Sequence, residues 1–263
     1  MLCYDVNSVT DVGNIREINQ DNYFAYTEIK NDKSVGIFCV ADGMGGLRDG
    51  EYASCLAVTK TKAWYQENIN MFGKKSPSDK RIVVSLKQLF YEINEEIYRY
   101  GIDKGIKVGT TYSLLLLTDD RYFVIHAGDS RIYMKRMDKL YMLTKDQTWV
   151  NDQLERGLIS LEQAQNHPRK NVLSNCIGCF EEPSVCIGSG KIAANDSFML
   201  CSDGLYNLVT NEEISQALSC SNLDYTVQNL LARVKERGAY DNITLLMVRI
   251  DDFMSKQAIT VEL

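Results

Sequence analysis

Four aspartates stand at positions where side-chain chemistry can be assembled. Three apolar runs lead into Asp beside Gly: IFCVA into Asp42-Gly43, FVIHA into Gly128-Asp129, and MLCS into Asp203-Gly204. A fourth run, ITLLMV, begins just after Asp241-Asn242. If these runs are strands of an antiparallel sheet, the ends of some and the start of another share one rim, and four carboxylates meet there. Carboxylates gathered in one place repel and are costly unless cations neutralise them. Oxygen ligands alone, without His or Cys, suit Mg²⁺ or Mn²⁺ rather than zinc. Glycine beside the acid lets the backbone turn sharply and lets a carbonyl approach an ion. A single Asp-Gly is ordinary turn chemistry. Its repetition at strand ends favours a site, yet the pattern by itself names no reaction.

Spacing excludes several other chemistries. No Cys is followed six positions later by Arg, and GxSxG, HExxH and GxxxxGK[ST] are absent. Gly188-Ser189-Gly190-Lys191 has a superficial phosphate-loop look, but Ile192 stands where Ser or Thr is required. With two histidines in all, a His-dependent triad has little to draw on. His126 lies inside an apolar run and is expected as a hydrogen-bonded core residue. His167, before Pro168, is expected in a loop. Cys176 and Cys179 have the spacing of half a zinc site, but only His167 is near enough to help close it, so free thiols are expected.

The elements that must position these residues are legible in outline. Strands are expected at 35–41, 112–117, 122–127, 197–201 and 243–250, with weaker signals at 2–9 and 22–28. Apolar residues recur at three- and four-residue steps in 80–100 and 222–237, which predicts amphipathic helices. A further helix is expected over 50–66. Thr210 with Glu213, and Ser160 with Gln163, have capping-box spacing. Strands come in runs rather than alternating with helices, and they lack clean polar alternation. The expected class is therefore α+β: two stacked, mainly antiparallel sheets flanked by helices. One domain is expected over 1–250, with 251–263 as a tail and the polar, helical 149–170 as an insertion lying over the fold.

The 263 residues carry a net charge of −6 and are 45% hydrophobic. An acidic chain without a basic block is a poor partner for nucleic acid. No apolar run is long enough to span a membrane. The N-terminus has neither the basic start nor the apolar core of a signal peptide, so a reducing cytoplasm is expected.

Seven motifs in order resemble the metal-dependent protein phosphatases, the PPM family of type 2C Ser/Thr phosphatases, in its compact bacterial form. They are Gly13-x-x-Arg16-x-x-Asn19-Gln20-Asp21, VADGMGG at 40–46, Gly109-Thr110-Thr111, AGDSR at 127–131, LTKDQT at 143–148, LCSDGL at 200–205, and Asp241-Asn242-Ile243-Thr244. The resemblance spans residues 7 to 250. It implies a four-layer αββα fold and two tightly bound Mn²⁺ or Mg²⁺ ions, with a third held more weakly. Asp42 is similar to the acid that bridges two metals, and the Gly43 carbonyl to the backbone ligand of one. Asp203 and Asp241 match ligands of the other, while Asp21 corresponds to an acid acting on the second metal, commonly through water. Asp129, with Asp203, matches the third site. Arg16 corresponds to the residue that holds the substrate phosphate; the planar guanidinium pairs two oxygens at once.

The implied reaction is hydrolysis of phosphoserine and phosphothreonine by a metal-activated water, opposing a bacterial Ser/Thr kinase. The implied partners are phosphorylated proteins, and the implied state is a monomer. Three positions depart from the family: Gln20 where animal forms place Glu, Met44 where they place the His proposed as general acid, and Gln147 where His is common. The segment 149–170 matches the family's variable flap, or else is a solvated helical hairpin. A catalytically silent domain used as a binding module is the alternative; such relatives usually lose metal aspartates, and here all are present. A sporulation-type phosphatase would normally carry an extra sensor segment.

Overall fold

The computed structural model describes residues 1–30, 33–45, 49–72, 77–118 and 120–252. In chain order the strands and α-helices are β1 (Leu2–Asp11), β2 (Asp21–Lys30), β3 (Lys33–Met44), α1 (Asp49–Asn68), α2 (Asp79–Lys104), β4 (Gly109–Thr110), β5 (Tyr112–Leu117), β6 (Arg121–Ala127), β7 (Arg131–Arg136), β8 (Lys139–Met142), α3 (Trp149–Glu155), α4 (Leu161–Gln165), β9 (Cys186–Lys191), β10 (Ser197–Cys201), α5 (Asp203–Tyr206), α6 (Asn211–Ala217), α7 (Leu223–Glu236) and β11 (Ile243–Asp252). One sheet has the order β1-β11-β10-β7-β8, and the other β2-β3-β5-β6-β9 with β4 added against β3. Each of these strand pairs is antiparallel.

The two-residue period of a strand explains the layers. Along β3, Phe38 and Val40 face the other sheet, where they pack with Phe198, Leu200, Leu246 and Val248. Ile37, Cys39 and Ala41 point the opposite way, onto α1 and α2. On the far side, Met199, Leu245 and Met247 bury against Ile214, Val227, Leu230 and Val234 of α6 and α7. The central strands are therefore covered on both faces, which is why they read as continuous apolar runs rather than alternating ones. The expected αββα order is what forms. Truncating a buried phenylalanine such as Phe38 in such a core costs about 3–5 kcal/mol.

The helices end where local chemistry ends them. Ser78 caps α2 by accepting from the Arg81 N–H, and Gly105 closes it in a left-handed conformation. Both capping boxes form, Ser160 with Gln163 and Thr210 with Glu213. Among the described residues no helix is long and apolar enough to cross a membrane.

Four strands were not expected, one of them the two-residue β4 added against β3. β7 and β8 form a hairpin through Met137, whose φ is +52°. Their charged residues hide the apolar pattern because β8 is an edge strand open to water. β9 is the other unexpected edge; the apparent phosphate loop Gly188–Lys191 is simply its second half, paired with β6. β3 also runs past the expected 41 to include Asp42 and Gly43, and β11 continues to Asp252, two residues into the expected tail. Residues 253–263, and Gly46 of the 40–46 motif, lie outside the described residues.

Candidate metal centre

The acids meet where the rims of the two sheets come together. The β2–β3 register places Asp21 opposite Asp42. The Asp42 N–H donates to Thr111 Oγ1 at 2.9 Å, and its carbonyl accepts from the Thr111 N–H at 2.8 Å and Thr110 Oγ1 at 3.0 Å. Thr111 Oγ1 in turn lies 2.7 Å from Ser130 Oγ, in the turn that carries Asp129. Ser202, just ahead of Asp203, links the sheets: its hydroxyl donates to Asp21 Oδ2 at 2.7 Å and accepts from the Thr244 N–H at 2.9 Å. Asp241 sits in a loop pressed against Gly13. That glycine has φ +80°, and a Cβ there would fall 2.3 Å from the Asp241 carbonyl oxygen. Asn242 fastens the same loop by donating to the Val12 and Ile18 carbonyls and accepting from the Gln20 N–H.

Crowding and burial act together on these carboxyls. Removal from water is the largest influence raising Asp21, Asp42, Asp129 and Asp203 above the usual carboxylate range. Repulsion adds to it: Asp42 feels Asp21, Asp203, Asp129 and Asp241, and Asp21 feels Asp203 and Asp241. Asp42 nevertheless keeps part of its surface open. Two arginines offset the charge in part. Arg16 pairs with Asp241 at 2.7 Å, and Arg131 grips Asp146 beside Asp129 with bonds of 2.9 and 2.6 Å.

The donor set fits hard divalent cations. Asp21 Oδ1 is buried and accepts no hydrogen bond, an orphan that a cation would satisfy. The cluster consists of oxygen donors alone. Gly43 stands where the backbone must come close: a Cβ there would fall 2.1 Å from the Gly50 carbonyl oxygen and 2.7 Å from that of Gln20. Among the described residues no three acidic, His or Cys side chains are already drawn in to ligand distance of a common point.

The expected site residues Asp21, Asp42, Gly43, Asp129, Asp203 and Asp241 thus come together, and Arg16 with them. Arg16 is engaged with Asp241, however, so the same guanidinium cannot grip a phosphate until it turns away; its side chain is 55% exposed and free to do so. Three contributions escaped the sequence reading. Ser202 orients Asp21, and its place directly before Asp203 was the available signal. Gln147 accepts from the Gly128 N–H at 2.8 Å and from Asn175 at 2.7 Å, fixing the Asp129 turn. Arg131 lies 3.6 Å above the Tyr206 ring, which joins the Asp129 turn to α5. His126 is a core residue as expected, bonded to Ser113 and the Lys145 carbonyl. Its neighbour in composition, His167, stacks on Trp149 in the turn after α4.

The segment 149–170 folds as α3 and α4. It walls a cleft of about 480 Å³ that has Asp129 and Asp203 on its other side. A larger cavity of about 680 Å³ lies elsewhere, and its Arg136 and Arg249 are already paired with Asp196 and Asp251.

The sequence matches the model of the Protein phosphatase 2C family over residues 16–244. The chain belongs to that family. The protein phosphatase 2C relatives it resembles include the serine/threonine phosphatase stp of Listeria monocytogenes, 33% identical over 92% of this chain and 94% of that protein. Among solved structures, the S. agalactiae serine/threonine phosphatase superposes with a TM-score of 0.82 at 30% identity, covering 94% of this chain and 99% of that one. The catalytic domain of the phosphatase PstP, solved in complex with two manganese ions, gives 0.80 at 25% identity over 96% of this chain and all of that domain. The protein phosphatase 2C fold, two antiparallel sheets between helices, is therefore shared along nearly the whole chain.

Proposed function

We propose that this chain hydrolyses phosphoserine and phosphothreonine in proteins, using bound Mn²⁺ or Mg²⁺, and that it acts in the cytoplasm as a monomer opposing a Ser/Thr kinase. The observation that carries the reading is the convergence of Asp21, Asp42, Asp129, Asp203 and Asp241 on one rim, with a buried Asp21 oxygen left unpartnered. Asp42, Asp203, Asp241, Asp21 and the Gly43 carbonyl would hold two ions, and Asp129 with Asp203 a third, weaker one. When bound, such ions supply Lewis-acid activation of water near neutral pH and counter-charge for the phosphoryl group.

The chain's own residues do the rest. Thr110 and Thr111 hold Asp42 by its backbone, so its carboxylate direction is set before any ligand arrives. Ser202 holds Asp21 by one oxygen and leaves the other available. Arg16, released from Asp241, docks the substrate phosphate in a two-point grip. Asp241 then keeps its charge for the cation. Met44 has no proton to give, so the leaving oxygen takes its proton from water or from another group of the site. The cleft under α3 and α4 is open enough for a peptide side chain, and its flap wall contacts the protein around the phosphorylated residue. The test is hydrolysis of a phosphothreonine peptide with Mn²⁺. Turnover that chelation abolishes and Mn²⁺ restores supports the reading; turnover indifferent to chelation, or none with Mn²⁺, overturns it.

A further inference from the structure

Cys176 and Cys179 fall between α4 and β9 in the chain, and the reaction proposed above does not use them. Their sulfurs converge over Gly109. A Cβ added to that glycine would fall 2.7 Å from Cys179 Sγ and 3.5 Å from Cys176 Sγ. The Cys179 thiol donates to the Val108 carbonyl at 3.6 Å. The neighbouring Cys176 thiol lowers Cys179 from its ordinary range and Lys107 lowers it further, against the effect of burial, while Cys176 itself is raised beside Cys179. Among the described residues no third His, Cys, Asp or Glu joins them to complete a metal site.

The two thiols differ in access. Cys176 is buried, whereas Cys179 lines an open pocket of about 310 Å³ with Ile102, Ile106 and Lys107. One accessible thiol beside a cation, backed by a buried partner, is the arrangement of an attacking and a resolving cysteine.

The pair is also wired to the acidic rim through backbone. Ile177, between the cysteines, exchanges both hydrogen bonds with Thr110, at 2.9 and 3.0 Å. Thr110 Oγ1 donates to the Asp42 carbonyl. Gly178 is wedged tightly: a Cβ there would fall 2.2 Å from Ile97 and 3.0 Å from the Val108 carbonyl oxygen. A contraction of the 176–179 segment cannot be absorbed at Gly178 and passes to Ile177, hence to Thr110 and Asp42.

We infer that Cys176 and Cys179 form a peroxide-sensitive dithiol whose oxidation to a disulfide slows the enzyme. The Cys179 thiolate attacks one oxygen of hydrogen peroxide, the O–O bond breaks, and a sulfenic acid forms as hydroxide leaves. The Cys176 sulfur then displaces hydroxide from the Cys179 sulfur. The S–O bond breaks as the S–S bond forms, and the protons of the two thiols leave as water. Net, two thiols are oxidised to a disulfide and one peroxide is reduced to two waters.

The test treats the Mn²⁺-loaded full chain with increasing peroxide, blocks remaining thiols by alkylation, and maps the products by mass spectrometry after cleavage at glutamate. Glu181 and Glu182 separate the pair from Cys186. Expected is a 176–179 disulfide at peroxide levels that leave the exposed Cys55 and Cys220 alkylatable. Turnover of an aryl phosphate should fall in parallel, by on the order of tenfold to 100-fold, the scale for small misplacements of a catalytic group. A reducing dithiol should restore it. Cys179→Ser should keep basal turnover and lose the peroxide response, and Cys176→Ser should form no disulfide. Free Cys176 and Cys179 after Cys55 or Cys220 has been oxidised would overturn the dithiol; a disulfide with unchanged turnover would overturn its link to Asp42. The slowing rests on the phosphatase reading, whereas the disulfide does not. A reduced enzyme without Mn²⁺-dependent turnover would sink that reading and leave the mapping to decide the dithiol.

Discussion

Asp21→Asn should stabilise the metal-free protein while weakening the metal-bound one. Asp21 is 4% exposed, with one oxygen held by Ser202 and the other unpartnered. It lies in the repulsive field of Asp203 and Asp241. Asparagine has nearly the same shape. Its carbonyl can keep the Ser202 hydroxyl, and its amide places donors, instead of an orphan acceptor, among carboxylates. A buried unsatisfied group costs about 1–3 kcal/mol, more when charged. Relief of about 2 kcal/mol would raise the unfolding temperature by roughly 4–8 °C for a domain of this size. With excess Mn²⁺ the order should narrow or reverse, because bound ions stabilise the native state by mass action and the variant has lost a charged partner for them. Calorimetric or fluorescence melting in chelator and in Mn²⁺ reads both effects on one sample. A lower melting temperature for Asp21→Asn in chelator would show that the carboxylate is already compensated and would refute the reasoning.

Other outcomes follow from the same geometry. Asp21, Asp203 and Asp129 have folded-state carboxyls raised to about 7, about 6 and about 8, so the native state binds more protons than the unfolded chain once pH exceeds the ordinary carboxylate range. Stability of the metal-free protein should therefore fall as pH rises from about 5 to about 8, and Mn²⁺ should flatten the trend; melting curves in chelator that climb over this window would contradict it. Arg16→Ala should raise the Michaelis constant for phosphopeptides more than it lowers turnover, with little change in stability, since the Arg16–Asp241 pair is largely exposed and worth at most about 1 kcal/mol. An unchanged Michaelis constant would make Arg16 a surface ion-pair residue only. Replacing 149–170 with a short linker should change preference among phosphoproteins while sparing an aryl phosphate; equal losses on both would make α3 and α4 part of the scaffold.

How much of this was legible depended on burial and on distance along the chain. β3, β5, β6, β10 and β11 announce themselves because both faces are covered and nearly every residue is apolar. β8 and β9 do not, because they are edges whose polar and glycine residues meet water. The capping boxes were readable because a cap is a contact over three residues. Asp42, Asp129, Asp203 and Asp241 were readable because each stands beside Gly or Asn at the end or the start of an apolar run. The Arg16–Asp241 pair was not, since its partners lie 225 positions apart and meet through the packing of Gly13 on the Asp241 loop and the hydrogen bonds of Asn242. Gln147 looked like a loss relative to the family; its amide in fact supplies the acceptor that the Gly128 N–H needs.

The central claim is that the converging aspartates form a divalent-metal site that powers hydrolysis. Calorimetric titration of the chelator-stripped protein with Mn²⁺, alongside Asp42→Asn and Asp241→Asn, tests it most directly. Expected are two tight ions per wild-type chain, a third binding weakly, and clear loss of tight binding in both variants together with most turnover of a phosphothreonine peptide. Wild-type stoichiometry and wild-type turnover in both variants would contradict it.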